Sequence, residues 1–401
     1  MKRFLVISIL FLSVLNLHAQ QIIFSDSAVI SLITCAPGEE VYAKFGHTAI
    51  RVNDSKNGYD FVFNYGIFSF ETENFYYKFI KGETDYQLGI YDTRNFLPEY
   101  IERNSTVWEQ ILNLTVTEKR ELIDLLLKNY EPQNRTYRYN FVFDNCATRP
   151  RDRIIAALHG HINFQPSPES KTFRQWIGTY VGTDTWLKFG IDVIFGMDAD
   201  QEANTSESMF LPEVLMSEFQ TAQITSPTGQ PRKLVSETKI LVNKRTVKDQ
   251  NESFIFKPLT ISILLLVVGI LFTIWDIKKR RLHFRAFDTL LFATIGIGGL
   301  IAFYLMFFSV HPLVKSNFNL LWLNPLNLVV AVLIWIRRSR KVLFFYQMIN
   351  ILLLVGSLLA FALSEQTFNT ATFPLIVLLL IRSANWFDLT KRKLYKKKKE
   401  Y

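Results

Sequence analysis

Five apolar segments in the C-terminal part of the chain constrain its fold more than any other feature. They occupy residues 258–275, 287–310, 318–336, 342–363 and 368–387. Most approach the roughly 20 residues that a helix needs to cross the hydrocarbon core of a bilayer. Because backbone polar groups find no water there, each crossing segment must satisfy its own hydrogen bonds as a helix. The sequence therefore predicts an all-α domain of five transmembrane helices over residues 258–390.

The charge distribution indicates how these segments are oriented. The formal net charge is +9, but the basic residues cluster directly after apolar segments, as KKRR at 278–281, RRSRK at 337–341 and KRKLYKKKK at 391–399. Such clusters are typical of cytoplasmic loops, whereas the long hydrophilic region before them is mildly acidic. We therefore predict a multi-pass protein of the cytoplasmic (inner) membrane with a cytoplasmic tail over residues 391–401, and no nucleic-acid partner. Arg382, inside the fifth segment, must snorkel or pair with another group.

The N-terminus indicates export. Lys2 and Arg3 precede a short apolar run, and the small residue Ala19 precedes polar Gln20, as in a secretory signal peptide over residues 1–20. An uncleaved anchor is the alternative. Residues 21–220 are long enough for one periplasmic domain with its own core. Residues 221–257 are mostly polar, as expected of a tether to the membrane.

The exported region mixes two kinds of periodicity and predicts an α+β domain. Strands are predicted at 28–34, 47–52, 59–66, 84–92 and 105–114, and helices at 74–81, 93–103 and 117–130. Asn57-Gly58 is a hairpin signal between the second and third strands. Thr117 is predicted as the N-cap of the last of these helices.

The segment around Cys146 has the pattern of a strand, a turn and a helix. Residues 137–143 favour a strand, Asp144 and Asn145 are capping residues, and residues 147–158 have helical periodicity. Cys146 is therefore expected at a helix N-terminus, where the helix dipole and the nearby charge of Arg149 favour a thiolate. The N–H groups at this helix start, and the side chain of Asn145, are candidate donors to an oxyanion.

His47, in the motif KFGHTAIRV, is the candidate base. A catalytic histidine is usually oriented by another polar group. Asn64, Tyr65 and Asp60 on the neighbouring predicted strand are the candidates, and Asn64 is preferred. A thiol with an imidazole partner outside the cytoplasmic membrane predicts covalent acyl chemistry.

Further polar residues are candidate substrate contacts. Arg51 and Arg149 either bind a phosphate or are simply solvated. The exported loop between the second and third apolar segments brings His311, Asn319 and Trp322 near the face that carries the domain. Polar groups that enter an apolar segment are often functional, although interfacial anchoring is the alternative for Trp322.

The order of the two reactive residues, with histidine first, resembles the circularly permuted papain-like group that includes lecithin:retinol acyltransferase and its NlpC-like relatives. The motifs TCAPGEEVYAKFGHTAIRV, FNYGIF, YRYNFVFDNCATRPRD and DADQEANTSESMFLP, followed by five apolar segments, resemble the Bacteroidota lipoprotein N-acyltransferase family, Lnb. The resemblance implies that Cys146 is the nucleophile and His47 the base. It further implies transfer of an acyl chain from a phospholipid, through a Cys146 thioester, to the α-amino group of a diacylated lipoprotein.

Two other classes of function fit the same residues. The first is a membrane-tethered cysteine hydrolase, acting as a peptidase, cell-wall amidase or lipid hydrolase. The second is a non-enzymatic receptor in which Cys35 and Cys146, the only two cysteines, form a disulfide, as is common in exported domains. No His/Cys/Asp cluster has the spacing of a zinc site and no Gly-rich phosphate loop is present. The sequence predicts neither a metal nor a cofactor.

Overall fold

The computed structural model describes residues 22–165, 170–226, 229–244 and 254–396. The predicted signal peptide lies outside these residues, as does the end of the basic tail after residue 396. Within the described residues, an N-terminal domain that mixes helices with a sheet is followed by a helical domain.

Twelve strands lie in the N-terminal domain as the structure describes it. They are β1 Val29–Cys35, β2 His47–Asp54, β3 Tyr59–Ile67, β4 Asp85–Asp92, β5 Val107–Leu112, β6 Thr136–Arg138, β7 His161–Asn163, β8 Lys171–Thr172, β9 Glu202–Ala203, β10 Gln223–Thr225, β11 Pro231–Lys233 and β12 Val235–Val242. Seven form one antiparallel sheet in the order β12-β5-β1-β2-β3-β4-β6. The sheet therefore brings the N-terminal hairpin β2-β3 to its centre.

Helices cover both faces of this sheet. They are α1 Phe75–Lys81, α2 Thr93–Glu102, α3 Val116–Tyr130, α4 Thr148–Ala156, α5 Phe173–Val181, α6 Trp186–Ile194, α7 Thr205–Ser208 and α8 Pro212–Thr221. One face packs Leu32 and Ile50 against α3, α4 and α8. The other packs Ile33 and Val62 against Phe96 and Tyr100 of α2. Alternate strand residues thus enter two cores, as the period of a strand requires.

The predicted strands and the hairpin at Asn57-Gly58 are confirmed by β1 to β5. The predicted N-cap Thr117 is wrong, because α3 begins two residues earlier. Thr115 accepts a hydrogen bond from the Glu118 N–H, and the Glu118 carboxylate accepts one from the Thr115 N–H. This reciprocal capping box was legible in the sequence as T-x-x-E.

The strand predicted over 137–143 ends at Arg138. Asn140 turns the chain, because its side-chain oxygen accepts from the N–H groups of Val142 and Phe143. Asn140 and Asp144 also exchange two backbone hydrogen bonds of 3.0 Å. This turn ends at Asp144, two residues before Cys146.

The polar tether expected over 221–257 is wrong for residues 223–225 and 231–242, which belong to the folded domain. β10 pairs with both β11 and β7, and β12 closes the edge of the main sheet against β5. Most residues of β12 are exposed, because an edge strand is covered by a neighbour on one side only. Its polar composition therefore mimics a linker.

Four helices in the described part of the C-terminal domain are long and apolar enough to cross a membrane. They are α9 Pro258–Lys279, α10 Arg285–Phe308, α12 Arg340–Leu363 and α13 Thr372–Lys396. The third predicted span does not form a continuous helix. It contains a 3₁₀ turn, Phe318–Leu321, and the short helix α11, Asn327–Leu333.

The break in this third segment has a local cause. Pro325 cannot continue a hydrogen-bonded helix from the preceding turn, and Asn324 caps the new start by accepting from the Leu326 N–H. The broken backbone packs closely on α10, where a Cβ on Gly299 would collide with the Leu323 carbonyl. Irregular backbone is tolerated in a membrane domain where it is buried in protein, and Trp322 and Leu323 of this segment are buried.

Arg382 pairs with other groups inside the helical domain. Its guanidinium donates to both carboxylate oxygens of Asp288, at 2.6 and 2.7 Å, and to Asp276 at 3.0 Å. All three side chains are fully buried. Of the two alternatives that the sequence left open, pairing rather than snorkelling is observed.

Candidate active site

His47 and Asn64 meet on the central hairpin of the sheet. Ala49 of β2 pairs with Asn64 of β3, so His47, two residues before Ala49, lies diagonally opposite Asn64 on the same side of the hairpin. The His47 Nε2 and Asn64 Oδ1 atoms are 2.6 Å apart. Because an amide oxygen can only accept, Nε2 carries the proton in this bond. The Nδ1 atom is then the ring nitrogen available to the thiol.

Cys146 precedes α4 and is held there by Asn145. The side-chain oxygen of Asn145 accepts from the N–H groups of Ala147 and Thr148, at 2.8 and 2.9 Å. Its amide nitrogen donates to the carbonyls of Phe141 and Phe210. Both N–H groups of this amide are therefore engaged, and the expectation that Asn145 donates to an oxyanion is corrected: Asn145 anchors the turn that presents Cys146.

Gly66 brings the thiol and the imidazole together. A Cβ placed on this residue would lie 3.5 Å from the Cβ of Cys146 and 3.7 Å from Cε1 of His47. Its φ is +95°, a left-handed conformation that favours glycine. The glycine of the FNYGIF motif thus turns the end of β3 while leaving the space beside both reactive groups open.

Cys146 and His47 each affect the protonation of the other. Burial opposes the charged thiol, but the imidazole charge, its hydrogen bond and the N–H groups of Thr48 and Cys146 together lower the pKa of Cys146 below its ordinary value. Burial also opposes the imidazolium, but the charge of Cys146 and the bonds to Cys146 and Asn64 raise the pKa of His47. The pair therefore favours a thiolate beside an imidazolium.

Three tyrosines near the thiol were missed by the sequence reasoning. Burial raises the pKa of Tyr86 to about 12, and the negative charge of Cys146 adds to that effect. Burial, and after it the charge of Cys146, also raises the pKa of Tyr137 and Tyr139. Tyr86 and Tyr137 share a buried cluster with Ala147, the residue directly after Cys146, and Tyr139 packs against that cluster. Tyr86 and Tyr137 are paired across β4 and β6. The strand-like sequences YRYNF and TDYQL could have indicated them, because alternate residues of a strand share one face.

Arg51 and Arg149 both pair with carboxylates. Arg51 makes two bonds of 2.7 Å to Asp60 and one of 2.9 Å to Glu109. Arg149 makes two bonds to Asp144 and stacks on Tyr137, with its guanidinium carbon 3.6 Å from the ring centroid. These pairs give both arginines a structural role, and phosphate binding by either stays a prediction.

Asn319 and Trp322 join the two domains and do not line the site. The Asn319 amide donates to the carbonyls of Asp192 and Val193 in the N-terminal domain, and the Trp322 indole donates to the Asn319 oxygen. Both side chains are about 1% exposed. The expected substrate contact is corrected for these residues, since buried side chains offer a lipid no surface. His311 is different: its Nε2 lies 2.9 Å from the carbonyl oxygen of Phe79 in α1.

Both cysteines are free thiols, so the disulfide alternative is not observed. Cys35 pairs with His47 across β1 and β2 and is fully buried. Burial raises the pKa of Cys35 well above its ordinary value. Of the two thiols only Cys146 is electrostatically prepared to act as a nucleophile. Among the described residues no cluster of His, Cys, Asp or Glu could hold a metal ion.

The fold and the site together define a membrane protein whose N-terminal domain carries a paired thiol and imidazole. Residues 17–178 match the Lnb N-terminal periplasmic domain and residues 249–394 match the Lnb transmembrane domain. The chain belongs to the Lnb family. Membership indicates a lipoprotein N-acyltransferase role and a periplasmic location for the N-terminal domain. No curated protein and no solved structure gives a significant match.

Proposed function

We propose that this protein transfers a fatty acyl chain from a membrane phospholipid to the α-amino group of a diacylglyceryl-cysteine lipoprotein. The observation that carries the proposal is the Asn64–His47–Cys146 arrangement, in which Nε2 of His47 is held 2.6 Å from Asn64 and the thiol has a lowered pKa. A nucleophile, a base and a group that orients the base are the elements of covalent acyl transfer.

In the first half-reaction, the Cys146 thiolate attacks the carbonyl carbon of a phospholipid ester. The C–O bond breaks as the tetrahedral intermediate collapses, and the departing lysophospholipid oxygen takes the proton from the His47 imidazolium. The products are a Cys146 thioester and a lysophospholipid. General acid catalysis of this kind contributes roughly 10²- to 10⁴-fold.

In the second half-reaction, the lipoprotein α-amine attacks the thioester. His47, now neutral, takes a proton from the amine, the C–S bond breaks and an amide forms. Cys146 leaves as a thiolate, and the imidazolium beside it restores the starting ion pair. The product is a triacylated lipoprotein.

Two backbone N–H groups are our candidates for stabilising the tetrahedral oxygen. The first N–H groups of α4 are engaged by Asn145, so they do not serve this purpose. The N–H groups of Thr48 and Cys146 instead favour negative charge on the sulfur, because both lower the pKa of the thiol. Donors that point toward the reacting atom are suited to an oxyanion hole, where one donor is worth about 10²- to 10³-fold.

We further propose five membrane crossings, with the thiol domain in the periplasm, the C-terminus in the cytoplasm and the protein in the inner membrane. The broken segment runs antiparallel to α10: Leu323 packs at Gly299, Leu328 at Gly296, and the Trp335 indole donates to Thr289. This segment therefore supports a non-helical crossing between α10 and α12. The circularly permuted papain-like topology of the N-terminal domain belongs to the same proposal.

The proposal is tested by incubating the full-length protein with phospholipid vesicles and a synthetic diacylated lipopeptide. Mass spectrometry is expected to detect an N-acylated lipopeptide and lysophospholipid in equal amounts. Cys146→Ser and His47→Ala serve as the inactive controls. Release of free fatty acid without N-acylated lipopeptide would identify a hydrolase and contradict the proposal.

A further inference from the structure

The helix α1, Phe75–Lys81, exposes more aromatic surface than a domain in water can easily carry. Its sequence is FYYKFIK, and Tyr76, Tyr77, Phe79 and Ile80 are all exposed, Tyr76 by 73% and Phe79 by 51%. Contiguous exposed apolar surface normally marks an interaction site. Phe75 packs on Phe68 within the N-terminal domain, and the helix also has a partner in the helical domain.

That partner is the end of a membrane helix. The N–H of Val310, two residues after α10 ends, donates to the carbonyl of Lys81 at 2.8 Å. The Nε2 atom of His311 also lies 2.9 Å from the carbonyl oxygen of Phe79 in α1. A Cβ placed on Gly82 would lie only 3.2 Å from the backbone nitrogen of His311 and from Cγ2 of Val310. The contact fixes α1 at the level where α10 leaves the hydrocarbon.

An aromatic ladder connects α1 with the thiol. Ring centroids are 6.0 Å apart between Phe79 and Phe75, 5.8 Å between Phe75 and Phe68, and 4.9 Å between Phe68 and Tyr86. Each step is within the range of direct ring contact. Tyr86 shares a buried cluster with Ala147, the residue directly after Cys146. The ladder therefore begins at the exposed helix and ends beside the nucleophile.

The charge on this helix also fits a lipid surface. Lys78 has no ion-pair or hydrogen-bond partner for its ammonium group among the residues that the structure describes, whereas Lys81 pairs with Glu83. A short helix that combines aromatic residues with an unpaired lysine is typical of the membrane–water interface.

We propose that α1 lies in the outer leaflet of the inner membrane and that the aromatic ladder guides one acyl chain of a phospholipid from that leaflet to Cys146. The inference rests on the proposed function, since it names the route of its acyl donor. Phe79 and Ile80 would contact neighbouring acyl chains, and Lys78 the phosphate of a headgroup. The ester carbonyl is then drawn toward the sulfur while the headgroup stays at the surface.

The test compares Phe79→Gln with Ile101→Gln, because Ile101 of α2 is equally exposed, at 59%, but α2 packs on β3 and β4. Full-length protein in phospholipid vesicles is sampled over time, and mass spectrometry measures the acyl adduct on Cys146. We expect Phe79→Gln to form the adduct about tenfold more slowly than the wild type, and Ile101→Gln within about twofold of it. The rate of Cys146 alkylation by iodoacetamide is expected to be unaffected in both.

The outcomes separate this inference from the proposed function. If the wild type forms no Cys146 adduct, the proposed function fails together with its donor route. If the wild type forms the adduct and Phe79→Gln matches Ile101→Gln, only the route is overturned. A parallel loss of adduct formation and alkylation in Phe79→Gln also overturns the route, because it reports a distorted site.

A second measurement does not depend on catalysis. Nitroxide labels are placed at Phe79→Cys and Ile101→Cys in a Cys146→Ser background, in which Cys35 is buried. The label at position 79 is expected to be more accessible to oxygen and less accessible to a water-soluble nickel chelate than the label at position 101. Equal accessibilities would contradict the interfacial placement of α1.

Discussion

Two polar clusters, one in each domain, differ in how their charges are satisfied. In the helical domain, Arg382 is held by Asp288 and Asp276. In the N-terminal domain, His47 has one fixed partner, Asn64, and the charge of Cys146 favours its imidazolium. The first cluster is fully buried, whereas His47 and Cys146 are partly exposed, and only the second cluster contains a group that can change its charge by moving a proton to a neighbour.

This difference indicates which cluster stabilises the fold and which is suited to the proposed chemistry. A buried guanidinium cannot lose its proton at accessible pH, so its charge must be matched permanently. The thiol and the imidazole instead exchange one proton, and they can be buried as a neutral pair or as an ion pair. The groups available for reaction are the Cys146 sulfur and Nδ1 of His47, since only Nε2 of the imidazole is engaged by Asn64.

The largest effect is expected from Cys146→Ser, which breaks the reactive cluster at its nucleophile. Acyl transfer should fall by about 10³-fold or more, because a serine hydroxyl at this site is not ionised by the imidazole. Product formation by mass spectrometry measures the loss, and thermal unfolding should be almost unchanged. Cys35→Ala is the matched control and should retain acyl transfer despite a small loss of stability. Inactivity of both variants to the same degree would argue against a special role for Cys146.

The cluster in the helical domain is broken by Arg382→Met, which leaves the buried carboxylates of Asp276 and Asp288 without the guanidinium that pairs with them. Removal of one partner of a buried ion pair typically costs about 3–5 kcal/mol, so the melting temperature in detergent should fall sharply. Adding Asp276→Asn and Asp288→Asn to the same chain should restore much of the stability. If the single variant is as stable as the wild type, the paired cluster does not hold the helices together.

The pH dependence of Cys146 acylation by phospholipid sharpens the contrast, because acylation needs both the thiolate and the imidazolium, and this ion pair exists only in a window of pH. The lower limit of the window is set by the thiol, whose pKa is lowered, and the upper limit by the imidazolium, whose pKa is raised. Asn64→Ala removes a bond that raises the pKa of His47. The alkaline limit should therefore move to lower pH, and the acylation rate near neutrality should fall about tenfold.

Asn64→Asp provides the conservative counterpart of that variant. Its carboxylate still accepts from Nε2 and favours the imidazolium more strongly than an amide does. The alkaline limit should then move to higher pH than in the wild type. Identical profiles for the three proteins would show that Asn64 does not set the protonation of His47.

The smallest effect is expected from Arg149→Gln, although Arg149 lies three residues after the nucleophile. Its guanidinium is committed to Asp144 and Tyr137, and Asp144 is partly exposed. A pair of this kind contributes at most about 1 kcal/mol. The KM for phospholipid should stay within about threefold of the wild-type value. A large increase in KM would restore Arg149 as a phosphate ligand.

The reactive cluster was largely predictable from the sequence, whereas its supports were not. His47 and Cys146 stand in motifs with strand and helix-start patterns, and the register of a short hairpin brings Asn64 to His47. Local patterns of this kind survive in a single sequence because the interacting residues are close along the chain. The bond from Asn145 to the Phe210 carbonyl depends on tertiary packing and could not be predicted in this way.

The helical domain shows the same limit. Asp276, Asp288 and Arg382 are visible in the sequence as charges in or beside apolar segments, but their pairing depends on how three helices pack. Composition predicted the third segment as a helix, although Pro325 and the glycines of α10 allow a broken chain there. β12 was misjudged because an exposed edge strand has the composition of a linker.

A single-turnover chase tests the central claim most directly. The protein is first loaded from vesicles that contain one isotopically labelled phospholipid, and the diacylated lipopeptide is then added. We expect the labelled acyl group to be found on Cys146 by peptide mass spectrometry and to pass to the α-amine of the lipopeptide as the adduct disappears. A labelled acyl group on any other residue, or its release only as free fatty acid, would contradict the account.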